Sequence, residues 1–374
     1  MRCFRTGHHH PCGRSKSNQR DLPCSRIRGS GGVMAPPKKK FVKKQVAPIP
    51  IEEMKEGILQ GNRASLARGI TLIESSSPKH YAAGQQLLQE LLEYTGHSLR
   101  IGITGVPGAG KSTFIEQLGE MLCEEGMKVA VLAIDPSSSL SGGSILGDKT
   151  RMELLSKNPL AFVRPSPTAG TLGGVHRRTN ETLLLCEAAG YEVILIETVG
   201  VGQSEVLVRQ MVDFFMLLVI TGAGDELQGM KKGIMELADA IVVNKADGEN
   251  RSLAEKTKKE LNQILHFLTP ATKGWTPGAH TCSALKKEGL SELWQLIRTF
   301  EQKMKKSLVF DSRREKQKEE WFHTMLKERV LTDFLFNEKI KEALPLMEER
   351  LKHSETTTTK AIEELLTLYK NGIR

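Results

Sequence analysis

The chain has 374 residues, 39% of them hydrophobic, with 53 Lys and Arg against 44 Asp and Glu for a formal charge of +9. That charge would suggest nucleic acid or an anionic membrane, but its distribution argues against both. Residues 1–50 hold 12 Lys and Arg and one Asp, which leaves 41 basic against 43 acidic residues in a body of net −2 with no basic reading face.

The first 50 residues have few apolar side chains and no periodicity, so they read as a disordered basic leader. Three origins fit it. It carries Arg and Ser and little acid, as a mitochondrial transit peptide does. It could equally be a basic tail that touches acidic surfaces. Or Met34 is the true start and residues 1–33 are translated upstream sequence, which the lack of an amphipathic helical pattern favours. No run of about 20 apolar residues occurs, so no membrane contact is expected and the body is expected to be soluble and cytoplasmic; a transit peptide would instead direct it to the mitochondrial matrix. Cys3, Cys12 and Cys24 match no zinc spacing, and His8–His10 lie in the leader. Cys123, Cys186 and Cys282 each sit alone beside apolar residues and read as buried, reduced thiols.

Residues 51–95 show helical periodicity in Ile58, Leu59, Leu66, Ile70, Ile73, Leu87, Leu88, Leu91 and Leu92, which predicts a helical pair. Residues 96–300 alternate strand and helix patterns, an α/β arrangement in which a mostly parallel sheet is flanked by helices and carries a ligand at the strand C-terminal ends. Within it, Leu99–Thr104 reads as a buried strand and Thr113–Leu122 as an amphipathic helix. Between them Gly105-Val106-Pro107-Gly108-Ala109-Gly110-Lys111-Ser112-Thr113 fits the phosphate-binding pattern G-x-x-x-x-G-K-[ST] in its required strand–loop–helix setting. Backbone N–H groups turned inward by the glycines suit a phosphate, and the following helix N-terminus adds positive charge. Lys111 can reach the β- and γ-phosphates and Ser112 can hold Mg²⁺. A glycine-rich turn that binds nothing is the alternative; Lys and Ser in register disfavour it.

The apolar run Ala240–Val243 ends in Asn244-Lys245-Ala246-Asp247, the N-K-x-D arrangement. A carboxylate at Asp247 accepts two hydrogen bonds from the N1–H and N2–H₂ edge of guanine, and adenine leaves it unpaired. The Lys245 stem would cover the purine face. Cys282-Ser283-Ala284-Leu285 follows another strand-like stretch and supplies backbone to close over the guanine O6. Alone, N-K-x-D is a weak match that more often caps a helix. After a phosphate loop and before Ser283-Ala284-Leu285, it predicts GTP as substrate and GDP as product.

Three further loops follow strand patterns. Val129–Asp135 leads into a glycine- and serine-rich stretch that reaches Asp148, a candidate for the metal shell. Glu192–Glu197 runs into Glu197-Thr198-Val199-Gly200, with Glu197 where most GTPases carry Asp to orient a Mg²⁺ water, and with Gly200 N–H available to the γ-phosphate. Phe214–Ile220 leads into Thr221-Gly-Ala-Gly-Asp225-Glu226-Leu-Gln228-Gly-Met-Lys231-Lys232-Gly233. Ras-like GTPases place Gln directly after the switch glycine to orient the attacking water; here Val201 occupies that position and Gln203 lies two residues on. A GTPase about 10³-fold below its activated rate follows unless another group acts. Gln203, Lys231 or Lys232 in cis, or a partner residue, are the candidates.

Taken together, GVPGAGKST, DPSS…GGSILGDKTRM, ETVGVGQSE, GAGDELQGMKKG, NKADG and TCSAL closely resemble the MeaB/ArgK family over residues 51–335. Its members are G-protein chaperones of adenosylcobalamin-dependent methylmalonyl-CoA mutase, once labelled ATPases or kinases of a lysine/arginine/ornithine transport system. The resemblance implies a P-loop G domain and GTP hydrolysis that gates cofactor loading onto the mutase and protects it. It implies that Ser112, Asp135, Asp148 and Glu197 surround Mg²⁺, and that Asp225, Gln228 and Lys231 form a third switch. Thr221 departs from the Pro or small residue expected there, at a position read as outside the contacts.

From Glu301 the composition shifts to long charged helices with Trp321, Phe322, Met325, Leu326, Val330, Leu331 and Phe334 at helical spacing. A polar break at 353–359 precedes a last helix over Ala361–Tyr369. Such a stripe packs either on its own chain or on a partner; the resemblance makes residues 301–374 a dimerisation arm and the protein a homodimer. Two functions of different class stay open: a GTPase chaperone for a B12-dependent acyl-CoA mutase, or a P-loop kinase acting on a small acceptor or transport component. Guanine selectivity and switch-like loops favour the first. A nickel-handling role lacks a His-rich or C-x-x-C stretch in the body.

Overall fold

The structure, a computed structural model, describes residues 50–75, 77–134, 152–166, 172–198, 204–222 and 232–372. Among the described residues, seven strands form one parallel sheet: β1 Leu99–Gly105, β2 Val129–Ile134, β3 Ala161–Ser166, β4 Val193–Thr198, β5 Phe214–Val219, β6 Ala240–Val243 and β7 Gly278–Thr281. Their order across the sheet is β3-β2-β4-β1-β5-β6-β7. Helices cover both faces, so β2 (VAVLAI), β4 (VILIET) and β5 (FFMLLV) are buried along their whole length and read as continuous apolar runs. The central strand β1 pairs with β4 on one side and β5 on the other, with Ile103 opposite both Glu197 and Met216. This register brings the C-terminal ends of β1, β4 and β5 level at one rim, where open α/β sheets bind ligands.

The N-terminal segment forms three helices where the periodicity predicted a pair: α1 Ile51–Leu59, α2 Arg63–Glu74 and α3 Pro78–Leu91. The division after α1 has a local cause. Gly61 turns the chain at φ 73°, and the Asn62 side chain accepts from the N–H groups of Ala64 and Ser65 at 2.9 and 3.1 Å, an N-cap that starts a new helix. Ile58, Leu66, Ile70, Ile73, Leu87, Leu88 and Leu91 enter the core as their spacing predicted, whereas Leu92 lies half exposed.

The remaining helices are α4 Lys111–Glu124, α5 Glu153–Lys157, α6 Leu172–Ala188, α7 Ser204–Arg209, α8 Lys232–Leu237, α9 Asn250–His266, α10 Leu290–Lys306, α11 Val309–Leu335, α12 Glu338–Lys352 and α13 Thr358–Gly372. Helix α10 buries Leu290, Leu293, Trp294, Ile297 and Phe300, and Phe300 meets Phe214 and Trp275 edge-on at 5.0 Å each. It runs through residue 300, so the change in composition at Glu301 lies inside a helix. Helix α11 is clamped to the base of the sheet. Arg314 donates to both Asp213 carboxylate oxygens at 2.8 and 2.7 Å, and Asp213 also accepts from Arg100 N–H at 2.8 Å. Arg313 reaches the Asp213 carbonyl and Thr272; burial and neighbouring Arg209 lower it to about 10, so it stays charged at neutral pH. Further along α11 the apolar stripe turns outward: Phe322 is 63% exposed, and Leu326, Val330 and Leu331 are exposed as well. Among the described residues no helix is long and apolar enough to cross a membrane.

Candidate functional site

At the rim, β1 ends in Gly105 and the chain turns through Val106–Gly110 into α4. A side chain has no room at Gly105, where a Cβ would stand 2.1 Å from the Leu218 carbonyl oxygen of β5. At Gly110, which takes φ 84°, a Cβ would meet Asn244 Nδ2 at 2.8 Å. Only glycine lets this loop wrap so closely. Lys111 is the first residue of α4, only 8% exposed, and its ammonium donates to the carbonyl oxygens of Gly105 and Val106 at 2.9 and 3.2 Å. Those bonds lay the side chain across the mouth of the loop, within reach of a phosphate held there.

Ser112 Oγ donates to Glu197 Oε1 at 2.9 Å across the gap between α4 and β4. Glu197 is 7% exposed, so this carboxylate has given up most of its water. A hydroxyl and a carboxylate oxygen at that separation are hard donors that suit Mg²⁺, and the extra methylene of Glu over Asp carries the carboxylate to the serine. Behind them Thr198 Oγ1 donates to Thr104 Oγ1 at 2.8 Å, joining the tips of β4 and β1.

The candidate base-contacting residues converge on the same rim. Asn244 is 1% exposed; its Nδ2 donates to the Ala109 carbonyl at 2.8 Å, while its Oδ1 accepts from Ala284 N–H at 3.1 Å. One amide thus fastens the phosphate loop to the Ser283–Leu285 segment. Ser283 Oγ donates to Asp247 Oδ2, which orients that carboxylate, and Ser283 Oγ also accepts from Lys286 N–H at 3.2 Å. Lys245 is exposed, as a side chain covering a purine face needs to be, and Leu285 is 75% exposed. Cys282 is buried just before this segment; burial and the nearby Glu292 push its thiol up to about 12, so it stays a neutral thiol. Cys123 and Cys186 are also free and buried.

Of the candidate residues, the structure brings together Gly105–Thr113, Glu197, Asn244, Lys245, Asp247 and Ser283–Leu285. Asp135, Asp148, Gly200, Gln203, Asp225, Gln228 and Lys231 lie outside the described residues; Lys232 opens α8. Thr221, read from sequence as outside the contact positions, donates from Oγ1 to Asn250 Oδ1 at 2.5 Å. Sequence reasoning also missed Asn250 itself and the Thr104–Thr198 pair. An Asn opening a helix just after a strand-end loop was the available signal for the former, because such side chains bond nearby backbone.

A parallel sheet bearing a phosphate loop on its central strand β1 and N-K-x-D at the end of β6, two strands away, defines a P-loop GTPase. The family model described as methylmalonyl Co-A mutase-associated GTPase MeaB matches residues 66–339, and the chain belongs to that family. The chain is 50% identical over 279 residues to the GTPase ArgK of Escherichia coli, covering 75% of this chain and 84% of that protein. It is 43% identical over 331 residues to the mitochondrial methylmalonic aciduria type A homolog of Mus musculus, covering 86% and 80% of the two chains. The crystal structure of an LAO/AO transport system kinase superposes with a TM-score of 0.69 at 38% identity, covering 87% of this chain and all of that one. The protein is accordingly an enzyme that binds and hydrolyses GTP.

Proposed function

We propose that this GTPase is a chaperone that gates cofactor loading onto an adenosylcobalamin-dependent methylmalonyl-CoA mutase and protects that enzyme. The observation that carries the reading is the extent of the family match. It runs from within α2 to the start of α12, so α3 and α11 fall inside the match together with the nucleotide rim. The name of the mouse relative points to the same metabolic setting.

In this reading Gly105–Thr113 hold the phosphates, with Lys111 released from its loop carbonyls onto the β- and γ-oxygens. Asn244, Lys245 and Asp247 take guanine together with Ser283, Ala284 and Leu285. Ser112 and Glu197 hold Mg²⁺ with Asp135 and Asp148, and the ion would neutralise charge developing on the β- and γ-phosphates. Glu197 orients water, and Gly200 N–H meets the γ-phosphate. Val201 cannot hydrogen-bond to the attacking water, so a second group supplies that role; Lys231, with Asp225 and Gln228 in the third loop, is our assignment, and Gln203 the alternative. The organisation follows: a leader over 1–50, helices over 51–95, the G domain over 96–300, and a dimerising arm over 301–374 in a cytoplasmic homodimer. The outward apolar stripe of α11 supports the arm assignment.

The test is steady-state GTP hydrolysis by the full chain, with and without an adenosylcobalamin-dependent methylmalonyl-CoA mutase. Stimulation of about tenfold or more over a slow basal rate is expected, since a supplied catalytic group is worth at least that. Lys231→Ala should keep the basal rate and lose the stimulation. Hydrolysis that the mutase leaves unchanged would retain the GTPase and remove this client.

A further inference from the structure

The loop that presents Asp247 is held by a residue outside its motif. Lys245 sits in the left-handed region at φ 60°, a conformation that disfavours a side-chain-bearing residue. Asn250 stabilises it. Its Nδ2 donates to the Lys245 carbonyl at 2.6 Å, and its own backbone N–H donates to the Asp247 carbonyl at 3.1 Å. One residue at the start of α9 therefore grips the loop on both sides of Ala246. The amide has a single consistent orientation. Turned over, Oδ1 would face the Lys245 carbonyl oxygen, acceptor against acceptor. The Lys245 carbonyl therefore selects the orientation, and the Thr221 hydroxyl, which can donate or accept, braces the amide by donating to Oδ1 at 2.5 Å. Thr221 lies two residues beyond β5, which pairs with the strand that feeds the loop, so the contact is built between neighbouring strand ends.

We infer that Asn250 is a positioning residue for guanine recognition and that Thr221 braces the amide through which it works. The inference rests on reading residues 244–247 as the guanine loop. Asn250 acts through the backbone of Lys245 and Asp247. Without its side chain Lys245 relaxes out of the left-handed region and the Asp247 carboxylate loses its aim at the N1–H and N2–H₂ edge. Phosphate contacts, made by Gly105–Thr113 on the other side of the rim, stay in place. The signature is a loss of base discrimination with turnover at saturation preserved.

The experiment measures Kd for GDP and XDP by calorimetry, Kd for ADP by competition, and kcat at saturating GTP, on full-length variants. Asp247→Asn reports on the underlying reading: the amide matches xanthine, so preference should move from GDP to XDP. If it stays with GDP, the base loop is elsewhere and the inference falls with it. Given that move, Asn250→Ala should weaken GDP about tenfold and ADP less than about twofold, the range expected for one lost hydrogen bond plus a relaxed backbone. Asn250→Asp is nearly isosteric but cannot donate to the Lys245 carbonyl, and should be impaired at least as much. Thr221→Val should lower the GDP-over-ADP ratio about threefold with kcat unchanged, and it carries the test if the Asn250 variants fail to fold. A GDP-over-ADP ratio within twofold of wild type, equal losses for both nucleotides, or a wild-type Asn250→Asp would overturn the assignment.

Discussion

The two ends of the sheet are built on opposite principles. At the C-terminal rim, beside side-chain pairs such as Ser112 with Glu197, many contacts are single hydrogen bonds between one side chain and one backbone group: Lys111 to Gly105 and Val106, Asn244 to Ala109 and Ala284, Asn250 to Lys245. Several of the residues there take positive φ, Gly105, Gly110 and Lys245 among them. At the N-terminal base the contacts are paired and charged. Arg314 grips Asp213 with two nitrogens, Arg100 grips Glu187 at 2.9 and 3.0 Å, and Arg209 meets the buried Asp239 at 3.0 Å. Left-handed backbone gathers at the rim, and paired, charged contacts gather at the base, where one of them holds α11.

Asp213→Ala is the severest way to break the base. It leaves the buried Arg314 guanidinium and the Arg100 N–H without the carboxylate they share, while Arg313 keeps its backbone carbonyl, and should cost about 3–5 kcal/mol, lowering Tm by roughly 10 °C. Lys316→Ala, which removes an exposed pair with Glu320 one turn along the same face of the chain, should move stability by no more than ~0.5 kcal/mol. Thermal unfolding of the two variants separates the cases; equal Tm values would mean the buried network does not anchor α11.

Gly110→Ala probes the rim. The alanine has to hold φ 84° and displace the Asn244 amide, so nucleotide affinity should fall by about tenfold, matching ~1–2 kcal/mol of left-handed strain. Tm without nucleotide should change far less than for Asp213→Ala, and a comparable drop would show that the rim supports the fold as well as the ligand.

The mildest effect concerns the thiol beside the base segment. With Cys282 pushed up to about 12, alkylation by iodoacetamide at pH 8 should be undetectable in the native protein and prompt after denaturation. The raised value also sets a sign: folding favours the protonated thiol, so this contribution is complete below the thiol's unfolded range near 9 and is lost as the pH rises toward about 12. Native-state labelling at pH 8 would mean that the Cys282–Leu285 turn opens far more readily than its hydrogen bonds imply.

The sheet was legible in the sequence because its strands are buried on both faces. Uninterrupted runs such as VAVLAI and FFMLLV allow few other readings, and the predicted bounds for β1, β2, β4, β5 and β6 agree with the observed ones to within one residue at each end. Strand β3 (AFVRPS) was not singled out, since Arg164 and Pro165 interrupt its apolar pattern. The phosphate loop and the candidate base residues stand out in the sequence because their chemistry demands fixed residue types at fixed spacing, and the structure brings them to one rim. What stayed hidden was long-range pairing between ordinary polar residues. Arg314 and Asp213 lie a hundred residues apart, as do Arg313 and its acceptor carbonyl, and nothing in either local stretch names its partner. The turn that splits the N-terminal helices was missed for the opposite reason: apolar spacing runs on through Gly61 and Asn62, and the cap that resets the helix is one side chain.

The Asn244 amide has a consequence for fragments of the ligand. Because one group is shared by the phosphate loop and the Ser283–Leu285 segment, guanosine alone or tripolyphosphate alone meets a joint that its missing half would have set. Covalent linkage lets the first contact place the second at high effective concentration, so the affinities of the two pieces should fall well short of accounting for GTP. A molecule that competes here by filling only the base side would work against an unset joint, and a bridging scaffold of modest contacts would outperform it.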